Sequence, residues 1–404
     1  MSAVRQRGAA ALLTVLLLCG LALLASLYAH RALLAELRGA EVQRRSAQAL
    51  EAAESGLQWA LVQLNAGSLD DACRPSSEAA GRRLRDRLIE YADDGRLAPR
   101  LSDTGTPWSA GCTLDAAGAW SCRCGGDGAP ASADEAPSFS VQAEAGARTG
   151  LLRLVSRGCV GCQGGERDAR AQVSTLLAFV PALTGLPAAP LVVAGALRLD
   201  PLAPRLAVRE RDQRGLLIHA GGAVQAPALV LPDGVTAAEL SSLTAQDDPA
   251  LALVPGRFLH AFLGLDPADL ARAPGVRTLR CGGDCAEALR TAVAGGAQAL
   301  WIEGELALPA GVVLGSVDAP VLLAVQGQAR LGPGVVLHGL LAAGALHWQA
   351  RSGGDVIRGA LLVAGDCCDG SGAPTVERDT ALLRRLARQA GRYVRVPGGW
   401  RDFD

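Results

Sequence analysis

Ala9-Ala-Ala-Leu-Leu-Thr-Val-Leu-Leu-Leu-Cys-Gly-Leu-Ala-Leu-Leu-Ala-Ser-Leu-Tyr-Ala29 carries no charged side chain. As a helix rising ~1.5 Å per residue, this run spans ~31 Å, the thickness of a bilayer's hydrocarbon core. It predicts a transmembrane segment over 9–29. Arg5 and Arg7 precede it, and positive charge stays on the cytoplasmic side. Residues 1–8 are therefore expected as a cytoplasmic leader, with everything beyond Ala29 exported. The run is longer than the apolar core of a cleaved secretory signal.

The helix does not stop at the membrane. From His30 to Leu64 there is no proline, and the only glycines are Gly39 and Gly56. Leu33, Leu37, Ala40, Ala47, Leu50, Leu57, Leu61 and Leu64 recur at steps of three, four and seven, the spacing of one helix face. Glu41 stands four residues before Arg45, the favourable order for a surface ion pair. Asn65 and Gly67 give a stop signal, so an amphipathic extension is expected over 30–66. A rod of this kind, ~85 Å long, is half lipid-facing and half amphipathic. One small domain cannot cover it, so it calls for partners along its length.

The rest of the 404 residues suffices for one large domain or two modest ones. Half the chain is apolar, aromatics are only 3%, and Gly is abundant at 49 residues. Such a composition suits helices and tightly wound β structure. The net charge of −1 and the lack of any Lys/Arg-rich block exclude a nucleic-acid binder.

Two segments carry a family resemblance. Arg5-Gln-Arg-Gly-Ala-Ala-Ala-Leu-Leu-Thr-Val-Leu-Leu-Leu18 and Ala49-Leu-Glu-Ala-Ala-Glu-Ser-Gly-Leu-Gln-Trp-Ala-Leu61 resemble the N-terminal pattern of PilX-type minor pilins of type IV pili. The related GspK-type minor pseudopilins of type II secretion begin in the same way. The resemblance implies cleavage by a prepilin peptidase between Gly8 and Ala9. It also implies an inner-membrane anchor with a periplasmic domain, and passage to an extracellular pilus on assembly. The implied partners are other minor pilins, the major pilin and a pilus tip adhesin. The chain departs from the family at one place. The fifth mature position, Glu in most pilins, is Leu13 here. In the family that carboxylate meets the N-terminal ammonium of the subunit ahead. A charge in the bilayer costs ~2.5–3.5 kcal/mol on insertion scales, so it is kept only where it finds a partner. A subunit at the tip has none ahead of it, and Leu13 fits a tip-proximal place. Glu54 lies on the edge of the apolar stripe; either it bonds its own globular domain or it contacts a neighbouring subunit.

An α+β fold is expected, with a pilin-like domain over 67–180. A helix is expected within Cys73–Gly95, burying Leu84, Leu88 and Ile89, with Arg82, Arg83, Arg85 and Arg87 on a solvated face. Phe139–Ala145, Leu151–Gly158 and Arg170–Val180 alternate with period two and read as strands. Residues 181–190 read as a linker. In 191–404 a motif recurs: Gly195-Ala-Leu-Arg-Leu199, Gly304-Glu-Leu-Ala-Leu308, Gly327-Gln-Ala-Arg-Leu331 and Gly344-Ala-Leu-His-Trp348. Two copies extend alike, as Leu308-Pro-Ala-Gly-Val-Val-Leu-Gly315 and Leu331-Gly-Pro-Gly-Val-Val-Leu-His-Gly339. Short apolar strands with Gly corners at such a period predict a solenoid-like β stack. An α/β insertion over about 257–298 is expected to interrupt it. The passage Cys281-Gly-Gly-Asp-Cys285 to Leu306, and the tail Tyr393-Val-Arg-Val-Pro-Gly-Gly-Trp-Arg-Asp-Phe403, also resemble C-terminal domains of long PilX-like proteins.

Beyond Cys19 in the apolar run, ten cysteines follow the anchor. That even number, in an exported chain, predicts a disulfide framework. Cys281 with Cys285, across a Gly-Gly turn, is the first local pair, and Cys159 with Cys162 the second. Cys73 and Cys112 are further disulfide candidates. Cys122 and Cys124 point the same way on a strand and should not bond each other. Cys367 and Cys368 are ~3.8 Å apart at Cα across a trans peptide, short for a disulfide, so they are expected to reach different partners. Zinc ligation by Cys122, Cys124, Cys159 and Cys162 lacks a nearby histidine. The five histidines are scattered, and no catalytic triad or phosphate loop is visible. The turn Gly365–Gly372 has the acidic, glycine-rich make-up of a cation loop but reads equally as a plain turn. No metal, cofactor or enzymatic activity is expected. A membrane-anchored β-helix enzyme acting on polysaccharide is the remaining alternative, and would need carboxylates and bases gathered in one groove.

Overall fold

The computed structural model describes residues 5–78, 81–92, 95–124, 136–162, 168–199, 206–210, 215–227, 229–232, 234–281, 284–350 and 354–402. The fold is α+β: one long apolar N-terminal helix followed by a mixed region of sheets and helices. Helix α1 (Arg5–Leu64) runs for 60 residues without a break, or ~90 Å, so the apolar run and its amphipathic extension are one rod. It ends where Asn65 N–H and Ala66 N–H fall back on the Val62 and Gln63 carbonyls, at 3.2 and 3.1 Å.

The first sheet is antiparallel throughout. It contains β1 (Ser109–Leu114), β2 (Trp120–Cys124), β3 (Pro137–Ala145), β4 (Leu151–Val160) and β5 (Ala169–Val180). Its alternating residues do what period two requires: Phe139, Val141 and Ala143 with Leu152 and Leu154 bury one face. That face receives the last four turns of α1, through Ala53, Leu57, Ala60 and Leu64.

The second region is built on parallel strands. In chain order these are β6 (Leu191–Val193), β7 (Ile218–Ala220), β8 (Thr244–Ala245), then helix α2 (Pro255–Leu263), β9 (Val276–Arg280), helix α3 (Ala286–Ala294), β10 (Ala299–Glu303), β11 (Val321–Leu331), β12 (Val336–Gln349), β13 (Val356–Val363) and helix α4 (Thr380–Gln389). The strands stack in the order β9-β10-β11-β12-β13-β6-β7-β8. Partners in the first steps are 23 residues apart, as in Val276↔Ala299, Leu300↔Leu323 and Val313↔Val336. The sequence repeats therefore lie one above another: Leu308 faces Leu331, and Leu331 faces Trp348. The step shortens to 18 at Val321↔Gly339, which is why the repeat reads as uneven.

Both faces of this sheet are apolar, as in buried parallel sheets generally. Leu191, Val193, Leu300, Ile302, Leu323, Leu341 and Leu361 point to one core. Their sequence neighbours Val192, Trp301, Leu322, Leu340 and Leu362 point to another, closed by α2 and α4 through Phe258, Leu259, Leu383 and Leu386. Pro255 sits in the first turn of α2 and Gly264 closes it in the left-handed conformation, the usual asymmetry of helix ends.

Three expectations change. Residues 181–190 are not a loose connection: Ala182, Leu183 and Ala189 are buried in the second core, and Ala182 N–H donates to the Ala387 carbonyl at 2.9 Å. Part of the expected insertion, β9, is itself a step of the parallel stack. And the chain's last strand, β14 (Arg392–Arg395), leaves the second region and pairs antiparallel with Leu177–Val180 on the edge of the first sheet.

Candidate functional site

Along α1 the surroundings change in kind. Residues 11–40 are exposed almost all round, Leu13 at 67%, and no described part of the globular region covers them. This stretch includes a helix long and apolar enough to cross a membrane. Gly8 and Ala9 fall inside the same helix. At Glu41 the first ion pairs appear, to Arg44 at 2.7 Å and to Arg45 at 2.6 Å, the second as the spacing predicted. The hydrogen bonds from Arg44 and Arg45 pull the Glu41 carboxyl down to about 2.

Between Ala49 and Leu64 the helix lies on the sheet. The small residues explain how closely. Gly56 stands against Ser156 and Phe139, and Gly158 of β4 stands against the Ala49 carbonyl and Ala53, with no room for a Cβ at either glycine. The segment Ala52-Ala-Glu-Ser-Gly56 thus acquires a physical meaning: Ala52, Ala53 and Gly56 face the domain, while Glu54 and Ser55 face out. Glu54 is exposed and makes no hydrogen bond or ion pair among the described residues.

Where α1 ends, the two regions are joined by buried polar groups. The Asn65 side chain pairs with Tyr393 as a strand would: its Nδ2 donates to the Tyr393 carbonyl and its Oδ1 accepts the Tyr393 N–H, each at 2.9 Å. The same Nδ2 donates to the Leu61 carbonyl at 3.0 Å. Arg83 donates to Gln298 Oε1, to the Gln389 carbonyl at 2.8 Å and to Asp86 at 2.8 Å. Arg85 donates to the Gly391 carbonyl at 2.7 Å.

This corrects the reading of the arginines as a solvated face. Among the described residues of this stretch only Leu84–Leu88 is helical, and Arg83 and Arg85 are 8% and 9% exposed. Both side chains run between the regions, where backbone carbonyls at the end of α4 have no helical donors left. Burial, then the charge of Arg83, lowers Arg85 to about 10, and burial pushes the Tyr393 phenol up. Tyr393, Phe179 and Tyr91 pack in a chain with centroids 5.4 and 5.2 Å apart, and Arg388 lies over Tyr91.

The five disulfides are Cys73–Cys124, Cys112–Cys122, Cys159–Cys162, Cys281–Cys285 and Cys367–Cys368. Both local pairs expected from sequence form. Cys73 and Cys112 take different partners, Cys124 and Cys122, because β1 and β2 bring Cys112 opposite Cys122. Cys367 and Cys368 bond each other, contrary to expectation.

On the second region one open groove of about 550 Å³ holds Asp284, Arg330, His347 and Asp369. Adjacent strands bring them into one row through Asp284↔Ala307↔Arg330↔His347↔Asp369. Arg330 bonds Glu305 at 3.1 Å and His347 bonds Asp369 at 3.1 Å. Elsewhere His219 pairs with Asp248 and His260 with Asp266. Among the described residues no cluster of His, Cys, Asp or Glu is placed to hold a metal ion.

Sequence reasoning did not reach Asn65, Arg83, Arg85, Gln298 or Tyr393 as joint residues. Only the helix-stop role of Asn65 was visible, since its partner lies 328 positions away. Comparison with protein-family models, with curated proteins and with solved structures finds no match to this chain.

Proposed function

We propose that this protein is a structural subunit of a type IV pilus, a PilX-like minor pilin, rather than an enzyme. The observation that carries the reading is the division of α1. Its last four turns are committed to the chain's own sheet, and residues 11–40 are left bare. A helix that is apolar within the membrane and still exposed beyond it, at Leu33, Leu34 and Leu37, suits a subunit that packs among other helices. In this reading the chain waits in the inner membrane with its N-terminus cytoplasmic. Prepilin peptidase cuts between Gly8 and Ala9, and the periplasmic domain then enters the filament beside other minor pilins and the major pilin, near a tip adhesin. Leu13, lacking a carboxylate, fits the tip-proximal end. Glu54, exposed at the rim of the packed seam, fits a contact to a neighbouring subunit. The 23-residue in-register steps support a solenoid-like second domain carried outward by the rod.

Deletion of the gene in a piliated cell tests this. Loss of surface pili and twitching, restored by the wild-type chain and not by a Gly8→Val variant, is the expected result. Normal piliation in the deletion strain sinks the proposal.

A further inference from the structure

The parallel stack does not close at β9. Among the described residues its only strand partner is β10, through Val276↔Ala299 to Arg280↔Glu303. Along its other edge the backbone hydrogen bonds stop at Val276 N–H, which donates to the Ala273 carbonyl at 3.1 Å. A free strand edge offers a row of N–H and C=O groups to any extended chain, and proteins usually blunt such edges with proline, a bulge or a cover. Val276-Arg-Thr-Leu-Arg280 has no proline. Its cover is incomplete: between this edge, the Asn65–Leu69 turn and Ala288 and Ala292 of α3 lies an open cleft of about 710 Å³.

A second observation points to what fills it. Arg85 lines the same cleft and is more than nine-tenths buried. Its Nη1 is used by the Gly391 carbonyl and its Nε is sealed from the cleft, so what Arg85 offers an occupant is its charge, which no carboxylate pairs among the described residues. A guanidinium so buried is poorly solvated, and a carboxylate is its natural partner. Arg277, exposed on the strand edge, has no ion pair among the described residues and adds positive charge. The cleft's acidic side chain, Glu287, is taken by Arg290 at 3.0 Å.

We propose that β9 is a strand-addition site. It accepts an extended segment of a partner protein, about five residues long at ~3.3 Å each, whose backbone pairs with the free edge and whose acidic side chain meets Arg85 and Arg277. Main-chain pairing supplies the affinity in this mode and side-chain pockets the specificity. The inference does not rest on the pilus assignment; it holds for any extended acidic partner.

The test uses the full chain in detergent micelles and fluorescein-labelled nonapeptides of alternating Val and Thr with one Glu, read by anisotropy. Two N-methylated versions carry their methyl groups on alternate residues, so that each blocks one edge of the peptide strand. The expected result is that one version loses binding by more than about tenfold, or ~1.4 kcal/mol, while the other binds as the parent does. Replacing Glu by Gln in the peptide, or Arg277→Glu in the protein, weakens binding by a similar factor. Bound peptide also slows amide exchange in 276–280. No binding of any Glu position, equal binding of both N-methylated versions, or indifference to both the Gln peptide and Arg277→Glu overturns the proposal.

Discussion

Replacing Asn65 by Ala removes three hydrogen bonds at one buried point. Two of them belong to the backbone of Tyr393, whose N–H and C=O both turn to the Asn65 amide. Tyr393 is 3% exposed, so no bulk water stands ready to replace them. Each stranded group costs about 1–3 kcal/mol. The adjoining cleft can admit water to one of the two, which places the loss at about 2–4 kcal/mol, or a factor of about 30–1,000. The loss is local, because β14 depends on β5 and on Asn65 while the parallel stack does not. Hydrogen exchange by mass spectrometry on the intact chain reads it directly. Amides of 392–396 should exchange about a hundredfold faster, with the amides of 321–325 unchanged. Asn65→Asp should be no better at neutral pH. Its acceptor for the Tyr393 N–H survives, but a charged oxygen then faces the Leu61 and Tyr393 carbonyls. Unchanged exchange at 392–396 in Asn65→Ala would refute the idea that this side chain clamps the tail.

Three further outcomes follow from the same structure. Gly339 has φ 147° and a Cβ there would meet the Val321 backbone, so Gly339→Ala should cost about 2–4 kcal/mol in thermal denaturation. Gly105→Ala, with φ 78° but open space around it, should cost only about 1–2 kcal/mol. Removing Cys73–Cys124, which closes 51 residues, should cost about 4 kcal/mol in the chain-entropy model. The four-residue Cys281–Cys285 loop should cost about 2 kcal/mol on the same basis, and chemical denaturation of the two double variants compares them. The Glu41 carboxyl is held at about 2, below its ordinary 4.5. Its contribution to helix stability is therefore complete above pH 4.5 and is lost as the pH falls towards 2. Circular dichroism of wild type against Glu41→Gln should diverge only above that window and converge below it.

Much of the architecture was legible because it is periodic. Residues 9–29 of α1 form a run of uncharged residues, the first-sheet strands alternate, and the Gly-x-apolar-x-apolar copies mark where strands stack. Contacts that span the chain leave no periodic trace. Nothing near Tyr393 announces Asn65, and nothing near Arg83 announces Gln298. The arginines at 82–87 show the general difficulty. A basic run beside apolar residues has the pattern of a surface helix, and only the position of α4's carbonyl end turns Arg83 and Arg85 inward. Leu13 was visible only as a departure from the Glu that the resembled family carries, and Glu54 as a carboxylate on the edge of the apolar stripe.

The return of β14 to the first sheet makes the whole parallel stack a guest inside the first domain, tethered at both ends. Chain order then dictates assembly order. As the chain is made, β5 has β4 on one edge and, among the described residues, no strand on the other until β14 arrives. The outer domain cannot be completed before the inner one has been made. Mechanically, a pull on the guest reaches the α1-bound sheet through two parallel paths, the packed 181–190 stretch and the β14–β5 ladder continued by the Ser174↔Arg401 bridge. A load applied to the guest is shared between them instead of falling on a single connection.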